Sequence, residues 1–183
     1  DNNQIGSPGI GNVGRLLITE VAPWASSASY AADWFEVTNV GSEAVDLTGW
    51  KMDDSSNSMS ASVAITGVAS VAPGQSAVLF EGSSTTIATN LEAAWFGSST
   101  PDDFLIGSYS GSGVGLSTGG DAVNLFNPAG HWMTGVTFGT ATDNITFDNT
   151  AGNATVTTLS AVGVHGAFLA ADGAETGSPG TNQ

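Results

Sequence analysis

The chain has 183 residues, two basic against 17 acidic side chains, a formal net charge of −15 and no cysteine. A surface this negative repels phosphate backbones and anionic lipid, which argues against nucleic-acid partners bound through basic patches and against membrane attachment. The length suits one domain with its own core, no apolar run approaches a transmembrane span, and thiolate metal sites are excluded.

Gly or Pro interrupts nearly every apolar run, and no window keeps helical apolar spacing over a dozen residues, so the class is all-β. The two ends of the chain match. Residues 1–9 and 172–180 share the pattern Asp, four variable residues, then Gly-Ser-Pro-Gly, with no gap. Residues 1–14 therefore read as a tail or linker resembling the end of a preceding similar unit, residues 15–180 as the domain and residues 181–183 as its C-terminal end. The competing reading is ordinary linker composition, in which Gly, Ser and Pro recur easily, and the aligned aspartate favours the repeated unit over it.

Arg15 to Val21 forms the first predicted strand, with Leu16, Ile18 and Glu20 on one face and Leu17, Thr19 and Val21 on the other. Pro23 ends it, and residues 24–32 read as a Ser/Ala-rich loop. Asp33–Asn39 and Val45–Met52 then alternate large and polar residues about the turn residues Val40–Glu43, which predicts a hairpin. A short strand follows at Val63–Thr66, a Pro73-Gly74 turn, and a strand at Ser76–Glu81. Within residues 82–113 the one predicted element is a short helix over Thr89–Phe96, capped by Thr89 with Glu92 three residues on. Leu116–Asn127 and His131–Phe138 form a second hairpin about Asn127-Pro128-Ala129-Gly130, and a last strand is placed near Ser160–Val164. Short strands at this turn-punctuated spacing predict a β-sandwich with long loops and one short helix.

The order of these motifs resembles the lamin-tail domain family. The resemblance rests on Ile18-Thr19-Glu20-Val21, Asp33–Asn39, Val45–Asp54, Pro73-Gly74 with Val78-Leu79-Phe80, Leu116–Leu125 and the closing Gly-Ser-Pro-Gly, and covers about residues 15–180. It implies an immunoglobulin-like β-sandwich. Bacterial members of the family are similar in being accessory modules of secreted or surface proteins, beside nuclease, phosphatase or phytase-like domains and sometimes in tandem. On that basis the chain is expected to be extracellular or at the cell surface, to have neighbouring domains, and to meet a protein or a surface glycan. The basic residues through which nuclear lamin tails meet nucleic acid are absent here, so no such role carries over.

No Gly-x-Ser-x-Gly elbow accompanies His131 or His165, and no histidine pair has metal-ligand spacing, so the chain is not expected to be an enzyme. Calcium (Ca2+) is the ion that carboxylates in flexible geometry suit. Its candidate ligands are Asp33 and Glu36 on one strand, Asp53 and Asp54 at the end of the presumed hairpin partner, and Glu20 from the first strand. The competing reading for Glu20 and Glu36 is that each lies among apolar residues and accepts hydrogen bonds from backbone amides or an indole. Trp24, in a predicted loop, and Trp95, in the long segment between predicted strands, are the candidates for stacking on a carbohydrate, whereas Trp50 alternates with Met52 on a core face.

Overall fold

The computed structural model describes residues 15–181, so the predicted tail over residues 1–14 lies outside them. The described strands are β1 (Leu16–Ala22), β2 (Trp34–Asn39), β3 (Val45–Asp46), β4 (Lys51–Asp53), β5 (Val63–Thr66), β6 (Ser70–Val71), β7 (Ser76–Glu81), β8 (Leu105–Tyr109), β9 (Asp121–Phe126), β10 (Trp132–Phe138), β11 (Phe147–Asp148), β12 (Thr155–Val156), β13 (Phe168–Leu169) and β14 (Thr176–Gly177). One helix, α1 (Thr85–Phe96), lies between β7 and β8. The first layer runs β11-β1-β2-β7-β8 and the second β4-β9-β10-β12. β5 bridges them by pairing with β4 on one side and β8 on the other. This is an all-β, immunoglobulin-like sandwich with one short helix.

Ile18, Phe35 and Leu79 from the first layer meet Met52, Val123 and Leu125 from the second in the core between them, each no more than 1% exposed. The first layer is covered on its other face as well. There Trp34, Val78 and Phe80 pack under Leu91 and Trp95 of α1, with Trp34 and Trp95 edge to face at 5.7 Å between ring centroids. That double cover is why all six residues of β2 are buried, and why its polar members have to find partners inside the protein.

Four expectations change. First, the strict alternation along β1 breaks at a β-bulge, where the β1–β2 register shifts between Ile18 and Glu20. The extra residue turns Thr19 and Glu20 to the outer face together, while Ile18 and Val21, three apart, both enter the inner core. Second, β2 has no hairpin partner in residues 45–52, because β1 and β7 occupy both its edges. The chain crosses instead to the second layer. Buried Asn39 fixes that crossing, donating from Nδ2 to the Glu43 and Val71 carbonyls (both 2.8 Å) and accepting the Gly41 N–H on Oδ1.

Third, α1 begins four residues before the predicted start, capped by Ser84, whose Oγ accepts the Thr86 N–H at 3.2 Å. Its Ser/Thr-rich first turn has weak helix propensity, and the burial of Leu91, Ala94 and Trp95 supplies what propensity lacks. The helix serves as the crossover that the parallel β7–β8 pair requires. Fourth, residues 160–164 are irregular backbone and turn rather than a strand, with an isolated bridge at Leu159 just before them, and β12, β13 and β14 are two-residue elements around them. The predicted hairpin about Asn127–Gly130 is present as β9–β10, its turn held by Asn127 Oδ1 accepting the Ala129 and His131 N–H groups.

β8 escaped prediction because Gly107 interrupts its apolar run. The β5 backbone presses against that glycine, and a Cβ there would lie 2.5 Å from the Thr66 carbonyl oxygen and 2.9 Å from Leu79 Cδ2. Gly107→Ala therefore wedges β5 from β8 at the seam of the two layers. The expected cost is about 1–3 kcal/mol, seen as a melting temperature lower by about 2–12 °C in a calorimetric scan.

Candidate functional site

The β1 bulge brings two carboxylates face to face. Glu20 stands opposite Glu36 in the β1–β2 ladder, both on the outer face of the first layer, and they are 0% and 1% exposed. No basic side chain neutralises them. Hydroxyls and backbone amides do that work instead, many of them from the C-terminal segment, which runs over this face as a strap. The Ser178 N–H donates to Glu20 Oε1 at 2.7 Å and the Ser178 hydroxyl to Oε2 at 3.1 Å, and the Thr146 hydroxyl also donates to Oε1. Glu36 receives the Thr19 hydroxyl on Oε1 at 2.8 Å and the Gly180 N–H on Oε2 at 2.6 Å. A line of hydroxyls continues from there, with Thr19 to Thr38 at 2.9 Å and Thr38 to Ser76 at 2.7 Å.

Loss of hydration on burial pushes both carboxyls up, Glu20 to about 8 with added repulsion from Glu36, and Glu36 to about 7. Around neutral pH the pair therefore holds a proton that isolated glutamates would have released, and it titrates as a unit. Burial thus favours a proton on the pair, against the hydrogen bonds from Ser178, Thr146, Thr19 and Gly180, which pull both carboxyls down.

A second node ties the same strap to the tryptophans. The Tyr30 hydroxyl donates to Glu175 Oε2 at 2.7 Å and accepts the Trp34 and Trp95 indole N–H groups at 3.0 and 3.4 Å. Burial raises Glu175 to about 7. The Trp24 indole donates to the Ile145 carbonyl at 2.8 Å.

These contacts correct the placement of Trp24 and Trp95. Each is 1% exposed, Trp95 on α1 and Trp24 just before a 3-10 turn, and each indole N–H is engaged inside the protein. Neither ring has a face to offer a sugar, because both pin loop and helix to the outer face of the sheet. Trp50 is buried against the inner core, as its alternation with Met52 suggested.

The five calcium candidates do not meet in one place. Glu20 and Glu36 form the pair just described. Asp33 accepts the Ser26 N–H at 2.7 Å in the loop after β1, and burial raises its carboxyl to about 6. Asp53 is buried at the end of β4, its Oδ2 accepting the Ser56 hydroxyl and the Ser58 N–H, both at 2.6 Å. Asp54 closes an Asx turn on the Ser56 N–H. The sequence argument had joined these residues through a β2–β4 hairpin, and the chain instead carries β4 to the other layer. Among the described residues no three carboxylates or imidazoles are grouped to hold a metal ion.

Of the two histidines, His131 is exposed beside the β9–β10 turn. His165 contacts Asp148 Oδ2 through Nδ1 at 2.7 Å on the surface. Partial burial would raise the Asp148 carboxyl, and hydrogen bonds from His165 and Thr150 hold it below its ordinary value all the same.

Sequence reasoning found Glu20 and Glu36 but not the residues that bind them. Ser178 and Gly180 lay in the closing Gly-Ser-Pro-Gly, which reads as a terminal motif without a structural role, and Tyr30, Thr146 and Glu175 carried no motif. The available signal was the Gly-Ser-Pro-Gly match itself, which marks a segment with four consecutive stereochemical constraints.

The model of the Lamin Tail Domain family matches residues 11–140. The chain belongs to the lamin tail domain family. No curated protein matches it. The family is a non-enzymatic immunoglobulin-like one, and the match spans β1 to β10, including Glu20, Glu36 and the bulge. The strap at residues 172–181 follows it in sequence and packs back onto the first strand of the matched region.

Proposed function

We propose that this lamin tail domain is a non-catalytic accessory module of a secreted or surface multidomain bacterial protein, where it acts as a spacer and protein-docking unit. The observation that carries the reading is how the buried acids are employed. Glu20, Glu36, Glu175 and Asp33 all accept hydrogen bonds from the chain's own amides and hydroxyls, and Glu20 and Glu36 close the fold instead of facing a cleft. Such wiring suits a module that keeps its shape at the end of a linker. The acidic exterior, with a formal charge of −15, keeps it soluble and selects against polyanionic partners. The pattern shared by residues 1–9 and 172–180, an aspartate followed five residues on by Gly-Ser-Pro-Gly, supports an arrangement in which similar units follow one another along a longer chain.

The isolated domain is expected to show no turnover on ester, phosphate or nucleic-acid substrates. Turnover abolished by a single substitution overturns the reading. Because the candidate carboxylates are dispersed, millimolar calcium is expected to leave the melting temperature within about 1 °C of its value in chelator. A rise of several degrees would place a bound ion in this domain.

A further inference from the structure

The site over Glu20 and Glu36 selects its occupant at every position of Gly-Ser-Pro-Gly. A Cβ at residue 177 would lie 2.5 Å from Glu20 Oε1, so only glycine fits. Ser178 uses both its N–H and its hydroxyl on Glu20. Pro179 fixes the backbone between two amides aimed at different carboxylates, and it is buried there. Gly180 donates its N–H to Glu36 at φ +77°, and a Cβ on it would lie 2.6 Å from Phe104.

Residues 6–9 present the same four residues at the same distance from a preceding aspartate. The remaining requirements of the site are met by what surrounds them. Position 176 contributes backbone alone, its N–H to the Asn144 carbonyl and its carbonyl to the Thr146 N–H, so Ile5 serves as well as Thr176. Gln4 aligns with Glu175 in the sequence match and, like it, carries a side-chain oxygen able to accept from the Tyr30 hydroxyl.

We propose that the Glu20–Glu36 site is a receptor for the sequence Gly-Ser-Pro-Gly as such, and that residues 6–9 are a second ligand for it, offered to another copy of this chain. A chain's own strap is tethered beside its receptor at high effective concentration and wins in the unmodified protein. Weakening that strap lets residues 6–9 of a second copy take its place and link chain to chain.

Gly177→Ala in the full chain tests this, because the added Cβ blocks self-filling and leaves residues 6–9 intact. Analytical ultracentrifugation is expected to show concentration-dependent oligomers that revert to monomer when Gly6→Ala is added. A Gly177→Ala protein that stays monomeric, or oligomers that survive Gly6→Ala, overturn the proposal. Should Gly177→Ala fail to fold, a protease site inserted in the exposed turn between Asp172 and Gly173 allows the strap to be nicked in the folded protein. Fluorescence anisotropy then follows uptake of labelled peptides under conditions where the peptide 172–183 exchanges in. The peptide 1–11 is expected to enter and its Gly6→Ala form to fail at least tenfold. Entry of 172–183 alone contradicts the proposal.

Discussion

Replacing Glu20 with alanine is expected to lower the melting temperature by about 6–20 °C. The substitution strips the acceptor from three buried donors at once, the Ser178 N–H, the Ser178 hydroxyl and the Thr146 hydroxyl, and leaves a void between β1 and the strap. Breaking one partner of a buried polar cluster costs about 3–5 kcal/mol, far more than the cluster adds over a well-packed apolar alternative. For a domain of this size that converts to roughly 2–4 °C per kcal/mol. Glu20→Gln separates lost hydrogen bonding from lost charge. Its Oε1 still accepts from Ser178 and Thr146, and its Nε2 donates to the Ser178 hydroxyl, so the expected change near neutral pH is within about 1 kcal/mol. Limited proteolysis gives an independent reading. The alanine variant should be cut within residues 172–181 well before the wild-type protein, since the strap is what the pair retains. Equal melting temperatures for wild type and Glu20→Ala would mean the strap is held by something else.

The second large effect is on pH. Glu20 and Glu36 are raised by burial to about 8 and about 7, and Glu175 and Asp33 to about 7 and about 6. For each of these groups the folded state holds a proton that the unfolded chain has already released, so between the two values the folded state binds more protons. Stability then falls as pH rises. Their contribution is fully present below the ordinary carboxylate range, near pH 4.5, and is lost progressively until about pH 8. Repulsion within the acidic surface acts in the same direction. Asp148 acts in the opposite sense, its lowered carboxyl losing stability only when the pH drops below the ordinary aspartate range. The melting temperature is therefore expected to decline by about 5 °C or more between about pH 5 and about pH 9. Glu20→Gln should flatten that slope and be the more stable protein at the alkaline end, because it removes the charge that Glu36 opposes. A melting temperature that climbs across the interval would mean the pair is ionised in the folded protein.

How far the sequence could be read follows from which constraints are local. The β9–β10 hairpin was legible because Asn127-Pro128-Ala129-Gly130 encodes its own turn. The strands β1, β2 and β7 were legible from β-branched and aromatic runs. What the partners of β2 would be was not, since edge occupancy is decided by residues forty positions away. The bulge at Thr19 was invisible for a related reason: a run of Leu-Leu-Ile-Thr-Glu-Val supports either face assignment until the pairing strand is known. The Ser/Thr-rich start of α1 and the glycine in β8 went against local propensity and were carried by packing.

The same division explains the site. Glu20 and Glu36 stood out as acids among apolar residues, and the requirement that buried carboxylates be satisfied pointed to backbone amides or an indole, of which the amides are present and hydroxyls stand in place of the indole. Their identities were hidden by sequence distance, Ser178 lying 158 residues from Glu20 and Gly180 144 from Glu36. Trp24 and Trp95 were misplaced because an all-β reading left the outer face of the first layer open to solvent. The helix and the strap cover that face, and the rings are the underside of the cover.

Amide hydrogen exchange at Ser178 and Gly180, measured in the native protein by NMR, tests most directly whether the carboxylate pair holds the strap. Both N–H groups end on buried glutamates and are expected to exchange as slowly as the amides of β2, with protection reaching the global stability. Exchange at both positions as fast as in the exposed turn at Asp172-Gly173 would contradict the account.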